Sequence, residues 1–385
     1  MTHLTIDRAR TLLADLVAID SINPMGGHWT RSAPVEHAVA AYLAELFRNQ
    51  NIQVTAQPVN DRHENLILKV QGRTDGPALL FESHMDTVPA DDWADRALVP
   101  RTKGSILYGR GACDDKGPLV AMVLALLELL ESRQPERSVL LVAAGDEEYA
   151  QTGIRHFMAE TEEIFQFGVF GEPTRNVPVV QHKGVVRWDI TTMGVSAHTS
   201  QPDLGRCAIL QMMQVIEAIG HYQAVSERQH TNPMMTGPRI TVSRIDGGRT
   251  RNAVADRCTA WVDFRIMPGL DPMAERQALI EHLATLDVAI EHAEAQVAVP
   301  PLSTPIDDPF VDQVLKICTE VSGTKIEPTG APYGTDASWL PAGVPAVVIG
   351  PGTIDHAHAI DECVDLKEVV RCAEIHLQLM RGGEG

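Results

Sequence analysis

The chain has 385 residues, a formal net charge of −19 and an ordinary globular composition, with 44% hydrophobic and 22% charged residues. This length exceeds one ordinary core and predicts roughly two domains. The negative charge argues against a nucleic-acid partner, because binding to phosphates needs a basic surface that displaces counterions. Six scattered cysteines without a C-x-x-C pair argue against a thiolate zinc site and against a disulfide framework.

The first residues predict an amphipathic helix, with Leu4, Leu12 and Leu16 at helical spacing. They lack the continuous apolar core of a signal peptide. The longest apolar run, Leu119–Leu130, is too short to span a bilayer and predicts a buried helix. We therefore expect a cytoplasmic protein that has no membrane partner.

Apolar runs of strand length alternate with helical patterns through the first half of the chain. The predicted strands are Leu66–Val70, Ala78–Phe81, Ser138–Ala144 and Phe167–Phe170. The helical stretches Ala33–Gln50 and Gly117–Arg133 separate several of them, and a late strand, Pro345–Ile349, precedes a C-terminal helix, Leu366–Met380. This alternation predicts an α/β fold in which helices flank both faces of a sheet.

The middle of the chain shows a different order of elements. The predicted elements there are the strands Gly184–Met193, Arg239–Ile245 and Arg257–Ile266 and the helices Gly205–Ile219 and Pro272–Leu286. This order predicts a small α+β sandwich inserted into the larger domain, with a Pro-rich link back between Pro300 and Pro309. We assign residues 179–293 to the inserted domain and residues 1–178 and 294–385 to the α/β domain.

Four of the predicted strands lead into histidine or acidic residues. These residues are His84 and Asp86, then Glu147 and Glu148, then Glu172, and finally His358. Ligands of open α/β sheets bind just beyond the carboxyl ends of the strands, so we expect these side chains to converge on one crevice. Each one alone is more simply explained as a solvated loop residue. Four such strand ends together favour a functional site.

Three local patterns indicate the chemistry of that site. In His84-x-Asp86 a metal-ligating imidazole could give its other N–H to the carboxylate, although a polar strand end explains the pair equally well. The Gly-flanked pair Asp114-Asp115 presents carboxylates where a phosphate would need N–H donors. The adjacent Glu147 and Glu148 repel each other unless a cation lies between them or one is protonated. That pair favours one metal ligand and one acid–base group.

With these motifs in this order, the chain resembles the M20 family of co-catalytic zinc peptidases and deacylases, which includes acetylornithine deacetylase, succinyl-diaminopimelate desuccinylase and carboxypeptidase G2. The matching motifs are His84-Met-Asp86-Thr-Val-Pro89, Gly109-Arg-Gly-Ala-Cys-Asp114-Asp-Lys-Gly117, Glu147-Glu148, Gly171-Glu172-Pro-Thr and Ala357-His358-Ala-Ile-Asp-Glu362. The resemblance implies a mixed sheet in the catalytic domain and two divalent metal ions, expected to be zinc, with cobalt or manganese as alternatives.

The resemblance also implies a role for each of these residues. The implied metal ligands are His84, Asp114, Glu148, Glu172 and His358, with Asp114 bridging both ions. Glu147 is implied as the catalytic general base, with Asp86 in support of the ligand histidine. His356 lies close to His358 in the sequence and could compete for the same role, but the motif register favours His358.

The inserted segment resembles the lid and dimerisation domain of the same family. Ser196-Ala-His198-Thr-Ser matches a motif whose histidine stabilises the tetrahedral oxyanion from the partner subunit of a homodimer. Asn252 and Arg265 match residues that hold the substrate carboxylate, although Arg265 could equally be a surface strand residue. Gly334 and Thr335 match a substrate-contacting loop, but the preceding Tyr333 stands where many relatives have glycine. Whether His198 acts across a dimer stays open.

Two local matches favour the acetylornithine deacetylase branch of the family. These are Gly171-Glu-Pro-Thr with His182-Lys183-Gly184, and Gly350-Pro-Gly-Thr-Ile-Asp-His-Ala-His358. Glu rather than Asp at position 172 goes, within the family, with deacylases and carboxypeptidases. We therefore expect a metal-dependent hydrolase of an amide bond in a small, carboxylate-bearing N-acyl amino acid. The alternatives are a carboxypeptidase or dipeptidase and a catalytically silent metal-binding dimer; an intact Glu147 and His198 count against the last.

Overall fold

The computed structural model describes residues 2–28, 32–132 and 134–382. The chain forms two compact units. Unit 1 comprises residues 1–180, 304–329 and 335–385, and unit 2 comprises residues 181–303 and 330–334. The sequence prediction assigned residues 294–303 and 330–334 to the α/β domain and residues 179–180 to the inserted domain, whereas the first two segments lie in unit 2 and the last lies in unit 1. Gly334 and Thr335, predicted as neighbours in one loop, therefore fall in different units.

The helices and strands are numbered here in chain order. The helices are α1 Ile6–Ala18, α2 His37–Phe47, α3 Ala94–Ala97, α4 Lys116–Leu130, α5 Thr152–Glu160, α6 Ala208–Gln229, α7 Pro272–Leu283, α8 Pro309–Ser322 and α9 Leu366–Met380. The strands are β1 Gln53–Pro58, β2 Glu64–Val70, β3 Ala78–His84, β4 Arg101–Lys103, β5 Ile106–Tyr108, β6 Val139–Ala144, β7 Phe165–Phe170, β8 Val179–His182, β9 Gly184–Met193, β10 Arg239–Gly247, β11 Arg257–Ile266, β12 Ile290–His292, β13 Val297–Val299, β14 Leu302–Ser303, β15 Thr329–Ala331, β16 Ala346–Val348 and β17 Cys363–Asp365.

The main sheet of unit 1 is mixed and has the strand order β1–β2–β6–β3–β7–β16. Strands β6, β3, β7 and β16 are parallel to one another. Strand β2 joins this group antiparallel, through β6, and pairs antiparallel with β1 at the edge. Every residue of β3 and β6 is buried, as is typical of parallel strands that are covered on both faces.

Aromatic side chains of the central strands lie on the face of this sheet that α8 and α9 cover. The ring of Phe81 in β3 packs edge-on against His376 of α9 at 5.8 Å, and Phe167 in β7 stacks on Phe310 of α8 at 4.1 Å. Gly168 faces the opposite side, where an added Cβ would lie 3.0 Å from Leu340. The predicted α/β class, with a mixed sheet flanked by helices, is therefore confirmed.

Unit 2 has an antiparallel sheet of order β10–β11–β9–β12, with β13 also paired to β9. Side chains alternate along β11, so that Phe264 and its even-numbered neighbours are buried while the intervening residues stay partly exposed. Helices α6 and α7 cover the buried face, where Met212 and Leu279 join Trp188 and Phe264 in one apolar core. The expectation of a separate α+β sandwich is confirmed.

Several element bounds differ from the sequence prediction. Helix α6 continues ten residues beyond the predicted end at Ile219, because Tyr222 still packs on the core, with its ring 6.4 Å from Phe264. The predicted helix Gly117–Arg133 corresponds to α4, but Arg133 lies outside the described residues. Pro309, assigned to the link, is the first residue of α8, where proline's missing N–H costs nothing. Among the described residues, no helix is long and apolar enough to cross a membrane.

Candidate metal centre

The strand order of unit 1 places three of the predicted ligand motifs at one edge of its sheet. Strand β3 ends at His84, β6 ends three residues before Glu147, and β7 ends two residues before Glu172. Because β3, β6 and β7 are parallel, their carboxyl ends lie side by side. This is the edge at which open α/β sheets bind ligands.

Asp114 lies at the middle of the cluster that forms at this edge. Its Oδ1 is 3.1 Å from Nε2 of His84, and its Oδ2 is 3.3 Å from Nε2 of His358. The same nitrogen of His358 lies 3.1 Å from Oε2 of Glu148. One carboxylate therefore contacts two histidines that are 274 positions apart in the sequence (358 − 84).

Two groups of side chains offer ligand atoms that lie within 4.8 Å of one another. The first consists of His84, Asp114, Asp115 and Glu172, and the second of Asp114, Glu148 and His358. All five predicted ligands are present, and Asp114 belongs to both groups. His356, the competing histidine, is in neither group; its Nδ1 lies 3.7 Å from Sγ of Cys363.

Asp115 is a member of the first group that the sequence prediction did not include. Its carboxylate accepts a hydrogen bond from the Ser83 hydroxyl. Gly171 permits this packing, since a Cβ there would lie only 2.9 Å from Oδ2 of Asp115. The Gly-flanked acidic pair was visible in the sequence, but its second carboxylate could be placed only by the contact with β3.

Asp86 supports the centre differently from the sequence expectation. The Nδ1 of His84 is 2.9 Å from the backbone carbonyl oxygen of Asp86, whereas the carboxylate oxygen is 3.5 Å away. An Nδ1–H tautomer that donates to this carbonyl leaves Nε2 free for a metal. The Asp86 carboxylate accepts hydrogen bonds from the backbone N–H groups of Glu147 at 3.1 Å and Glu148 at 3.3 Å. It therefore also orients the acidic pair.

The buried carboxylates of the two ligand groups repel one another when no cation lies between them. Burial, and then the charge of Asp114, raise the pKa of Glu172 well above its ordinary value and that of Glu148 to about 8. Burial would also raise the pKa of Asp114, but hydrogen bonds from His358 and His84 hold it below its ordinary value. Oxygen and imidazole donors without thiolate suit zinc, cobalt or manganese. The residues present therefore fit two divalent cations, which would offset the mutual repulsion of the carboxylates.

Glu147 is outside both ligand groups and is held by a different set of contacts. Its Oε1 accepts a hydrogen bond from Nε2 of Gln151 at 3.0 Å, and Oε1 of Gln151 accepts one from Nε1 of Trp339 at 3.0 Å. Burial raises the pKa of Glu147 above its ordinary value, against the lowering effect of His84. Sequence reasoning missed Gln151 and Trp339, because no local pattern marks a pair 188 residues apart.

A buried glutamate joins the two loops that carry Asp114 and His358. Both oxygens of Glu362 accept hydrogen bonds, one from the backbone N–H groups of Cys113 and Asp114 at 2.8 and 2.9 Å. The other accepts from the N–H of Gly111 at 3.1 Å and from the Arg110 guanidinium at 2.6 Å. The sequence motif that ends at Glu362 predicted a role only for His358, so the contacts of Glu362 with the Asp114 loop were missed.

Among the predicted residues of unit 2, His198 and Asn252 are exposed and Arg265 is partly exposed. Nδ1 of His198 lies 2.8 Å from the hydroxyl of Ser200, and the carbonyl of Asn252 accepts the N–H of Thr199 at 3.1 Å. The guanidinium of Arg265 donates to Asp263 at 2.8 Å.

The two residues of the predicted substrate loop differ in burial. Thr335, in unit 1, is buried and its hydroxyl accepts the N–H of Ala337 at 3.3 Å. Gly334 is half-buried, and the functional roles of all these residues stay predictions.

The fold and the cluster together define a class of metal-dependent hydrolases. The profile of peptidase family M20/M25/M40 matches residues 80–382. Since this match covers most of the chain, the protein belongs to that family.

Among its relatives, acetylornithine deacetylase of Vibrio vulnificus is 30% identical over 355 residues, which cover 90% of this chain and 91% of the relative. The acetylornithine deacetylase of Yersinia pseudotuberculosis is 29% identical over 378 residues, 95% of each chain.

Solved structures support the same fold. Aminopeptidase PepT from Bacillus cereus matches with a TM-score of 0.79 at 19% identity, covering 98% of this chain and 99% of its own. A dinuclear metal-binding M20 peptidase from Bacillus subtilis matches with a TM-score of 0.73 at 14% identity, covering 98% of both chains. At these identities the likeness establishes the fold and leaves the substrate open.

Proposed function

We propose that the protein is a two-metal hydrolase that cleaves the amide bond of a small N-acyl amino acid, as an acetylornithine deacetylase does. The observation that carries this proposal is the sharing of Asp114 between two ligand groups, one of which contains Glu148, the neighbour of Glu147. The deacetylase relatives, at about 30% identity over nine-tenths of the chain, favour a deacylase.

The proposed ligands are His84, Asp114 and Glu172 for one cation and Asp114, Glu148 and His358 for the other. Zinc is the first candidate for both, with cobalt or manganese as alternatives. When bound, such ions would lower the pKa of a water molecule and polarise the scissile carbonyl. Asp115 belongs to the same group as His84, Asp114 and Glu172, but its hydrogen bond from Ser83 favours a supporting role.

Glu147 is the proposed general base. It takes a proton from the water whose oxygen attacks the carbonyl carbon, and passes that proton to the nitrogen as the C–N bond breaks. Gln151 holds one oxygen of Glu147 and thereby directs the other. Burial raises the pKa of Glu147, which makes its carboxylate a stronger base than an exposed one.

Residues of unit 2 are proposed to bind the substrate and to stabilise its transition state. His198 would donate to the oxyanion, and Asn252 and Arg265, with Gly334 and Thr335, would contact the carboxylate-bearing substrate. Exposed apolar side chains on unit 2, among them Leu204, Leu210 and Met213 at 72%, 59% and 60% exposure, favour a homodimer. His198 would then act across that dimer.

A competition experiment with the purified, metal-loaded enzyme tests the proposal. N-acetyl amino acids, N-succinyl amino acids and dipeptides are offered together, and the released amines are quantified. We expect the N-acetyl substrates to have the highest kcat/KM, with the Glu147→Gln protein as the background. Preferential release from dipeptides would instead assign the carboxypeptidase or dipeptidase alternative. Two bound metals without any hydrolysis would indicate a silent metal-binding protein.

A further inference from the structure

A buried histidine–glutamate pair in unit 1 has no part in the proposed function. Glu36, next to α2, is fully buried, and His63, next to β2, is 6% exposed. Nδ1 of His63 lies 2.8 Å from Oε1 of Glu36, and Oε2 of Glu36 accepts the backbone N–H of Glu64 at 3.1 Å. Removing two charged groups from water costs free energy, so the pair is weak evidence for stability by itself.

The pair is the outer end of a series of contacts that leads to the metal centre. Nε2 of His63 lies 3.5 Å from Oδ1 of Asp146. The same oxygen accepts a hydrogen bond from Nδ2 of Asn23 at 2.9 Å, and this amide also donates to Oδ2 of Asp86 at 2.8 Å. We call Asn23, Glu36, His63 and Asp146 the support network.

The inner end of the support network holds the turn that carries the acidic pair. Asp146 directly precedes Glu147 and has a left-handed backbone with φ of 63°, a conformation that aspartate adopts with the help of side-chain hydrogen bonds. Its Oδ2 accepts the Thr152 hydroxyl at 2.6 Å. On the other side of the turn, the Asp86 carboxylate accepts the backbone N–H groups of Glu147 and Glu148. Displacing either aspartate would therefore reorient Glu147.

The support network also separates two buried carboxylates that would otherwise repel each other. The neutral amide of Asn23 donates to both Asp86 and Asp146. Burial would lower the pKa of His63, but its hydrogen bond to Glu36 and the charges of Glu36, Asp146 and Asp86 together raise it. The Nε2 of His63, 3.5 Å from Oδ1 of Asp146, helps to hold that carboxylate at the position where its turn requires it.

A second histidine–glutamate pair joins the same two segments at the surface. Nδ1 of His37 lies 3.0 Å from Oε1 of Glu64, and the His37 side chain is 58% exposed. The two pairs are formed by residues 36 and 37 with residues 63 and 64, so they share residue types, sequence separation and elements. The exposed pair is therefore a matched control for the buried one.

We propose that His63 and Glu36 are positioning residues for the hydrolysis assigned to this site. Glu36 holds His63, which contacts Asp146, and Asn23 joins Asp146 to Asp86, so that together they fix the direction of the general base Glu147. This inference rests on the proposed function.

The experiment compares His63→Ala with His37→Ala. For His63→Ala we expect kcat to fall by about 10–100-fold, as is usual when the support of a metal site is removed, with KM changed by less than about twofold. The absorption spectrum of the Co²⁺-substituted protein should change as well, because His84 and the acidic pair both depend on Asp86. The His37→Ala protein should match wild type in kcat, KM and the Co²⁺ spectrum.

A His63→Ala protein that folds and has the kcat of His37→Ala would overturn the proposal, even if its melting temperature were lower. If His63→Ala does not fold, Glu36→Gln decides by the same measurements, since it keeps the size of the side chain and loses its charge. An unchanged kcat in Glu36→Gln overturns the proposal. If wild type cleaves none of the substrates, the proposed function fails, and the Co²⁺ spectra decide about positioning: identical spectra for His63→Ala and His37→Ala overturn it.

Discussion

The two units hold their chemically active side chains in contrasting ways. In unit 1, His84 and Asp114 are buried and contact each other, and the distant residues His358 and Glu362 also contact Asp114. In unit 2, His198 and Asn252 are exposed; His198 contacts Ser200 of its own loop, and the carbonyl of Asn252 accepts the N–H of Thr199. A buried charged group must find partners in the fold, so its position is determined by that fold. An exposed group is not positioned in this way, and the roles proposed for His198 and Asn252 depend on a substrate or a second copy of the chain.

The largest expected effect comes from removing the metals that unit 1 is proposed to bind. Two ions per chain are expected by elemental analysis, because the two ligand groups share one carboxylate. A chelator should abolish hydrolysis, and zinc or cobalt should restore it. A metal-free protein with activity insensitive to chelation would refute the two-metal mechanism. The buried cluster of unit 1 would then not be the catalytic centre.

The second test separates the general base from the ligands within unit 1. Glu147→Gln keeps the size and the hydrogen bond with Gln151 but removes the base, so turnover should fall by ~10²–10⁴-fold. Metal content should stay at the wild-type value. The control is Glu160→Gln, on the exposed end of α5, which should leave turnover unchanged. Loss of metal from Glu147→Gln would mean that the roles of Glu147 and Glu148 are exchanged.

The third test asks whether the exposed histidine of unit 2 acts in catalysis. Oxyanion donors act mainly on the transition state, so His198→Ala should lower turnover by roughly 10²–10³-fold with the metals retained. Mixing it with inactive Glu147→Gln should create hybrid dimers in which one site has both groups, and activity should rise as subunits exchange. If subunits exchange without any return of activity, His198 does not act across a dimer.

A smaller effect is expected from the residue that ties together the two ligand loops of unit 1. Glu362→Gln cannot accept all four hydrogen bonds, so the Asp114 loop should lose its fixed position. We expect metal affinity to fall by about 10–100-fold, measured by competition with a chromogenic chelator. Glu374→Gln, on the exposed side of α9, is the control. Equal affinities in the two variants would show that the loop is held by other contacts.

The smallest effect concerns a buried group of unit 1 away from the metal centre. Burial lowers the pKa of His376 to about 3, from 6.5 in the unfolded chain. Between these values the unfolded state binds the proton and the folded state does not, so stability falls as pH drops below 6.5, by up to ~1.4 kcal/mol per pH unit. Between pH 7 and 5.5 the free energy of unfolding, measured with urea, should therefore fall by about 1 kcal/mol less in His376→Leu than in wild type. If wild type and His376→Leu lost the same free energy of unfolding over this pH range, the loss would be due to a group other than His376.

Much of unit 1 could be predicted because its signals are local. The apolar run of β3 followed by His84-x-Asp86, and the run of β6 followed by Glu147-Glu148, identify a strand and its ligand within a few residues. The strand rule then places such residues at one sheet edge without knowledge of the register. The C-terminal helix, Leu366–Met380, and the strand Arg257–Ile266 were predicted with the bounds they have in the structure.

The sequence by itself determined the class of fold and the types of donor at the strand ends, since strand periodicity and motif order act over short distances along the chain. Only the tertiary structure decided which atoms meet. Asp115 meets Ser83, Gln151 meets Trp339, and Glu362 reaches the N–H groups of a loop about 250 residues away. Such contacts depend on the packing of whole elements, which no local pattern encodes. Burial makes these contacts important for stability, because a charged group removed from water costs free energy unless a partner binds it.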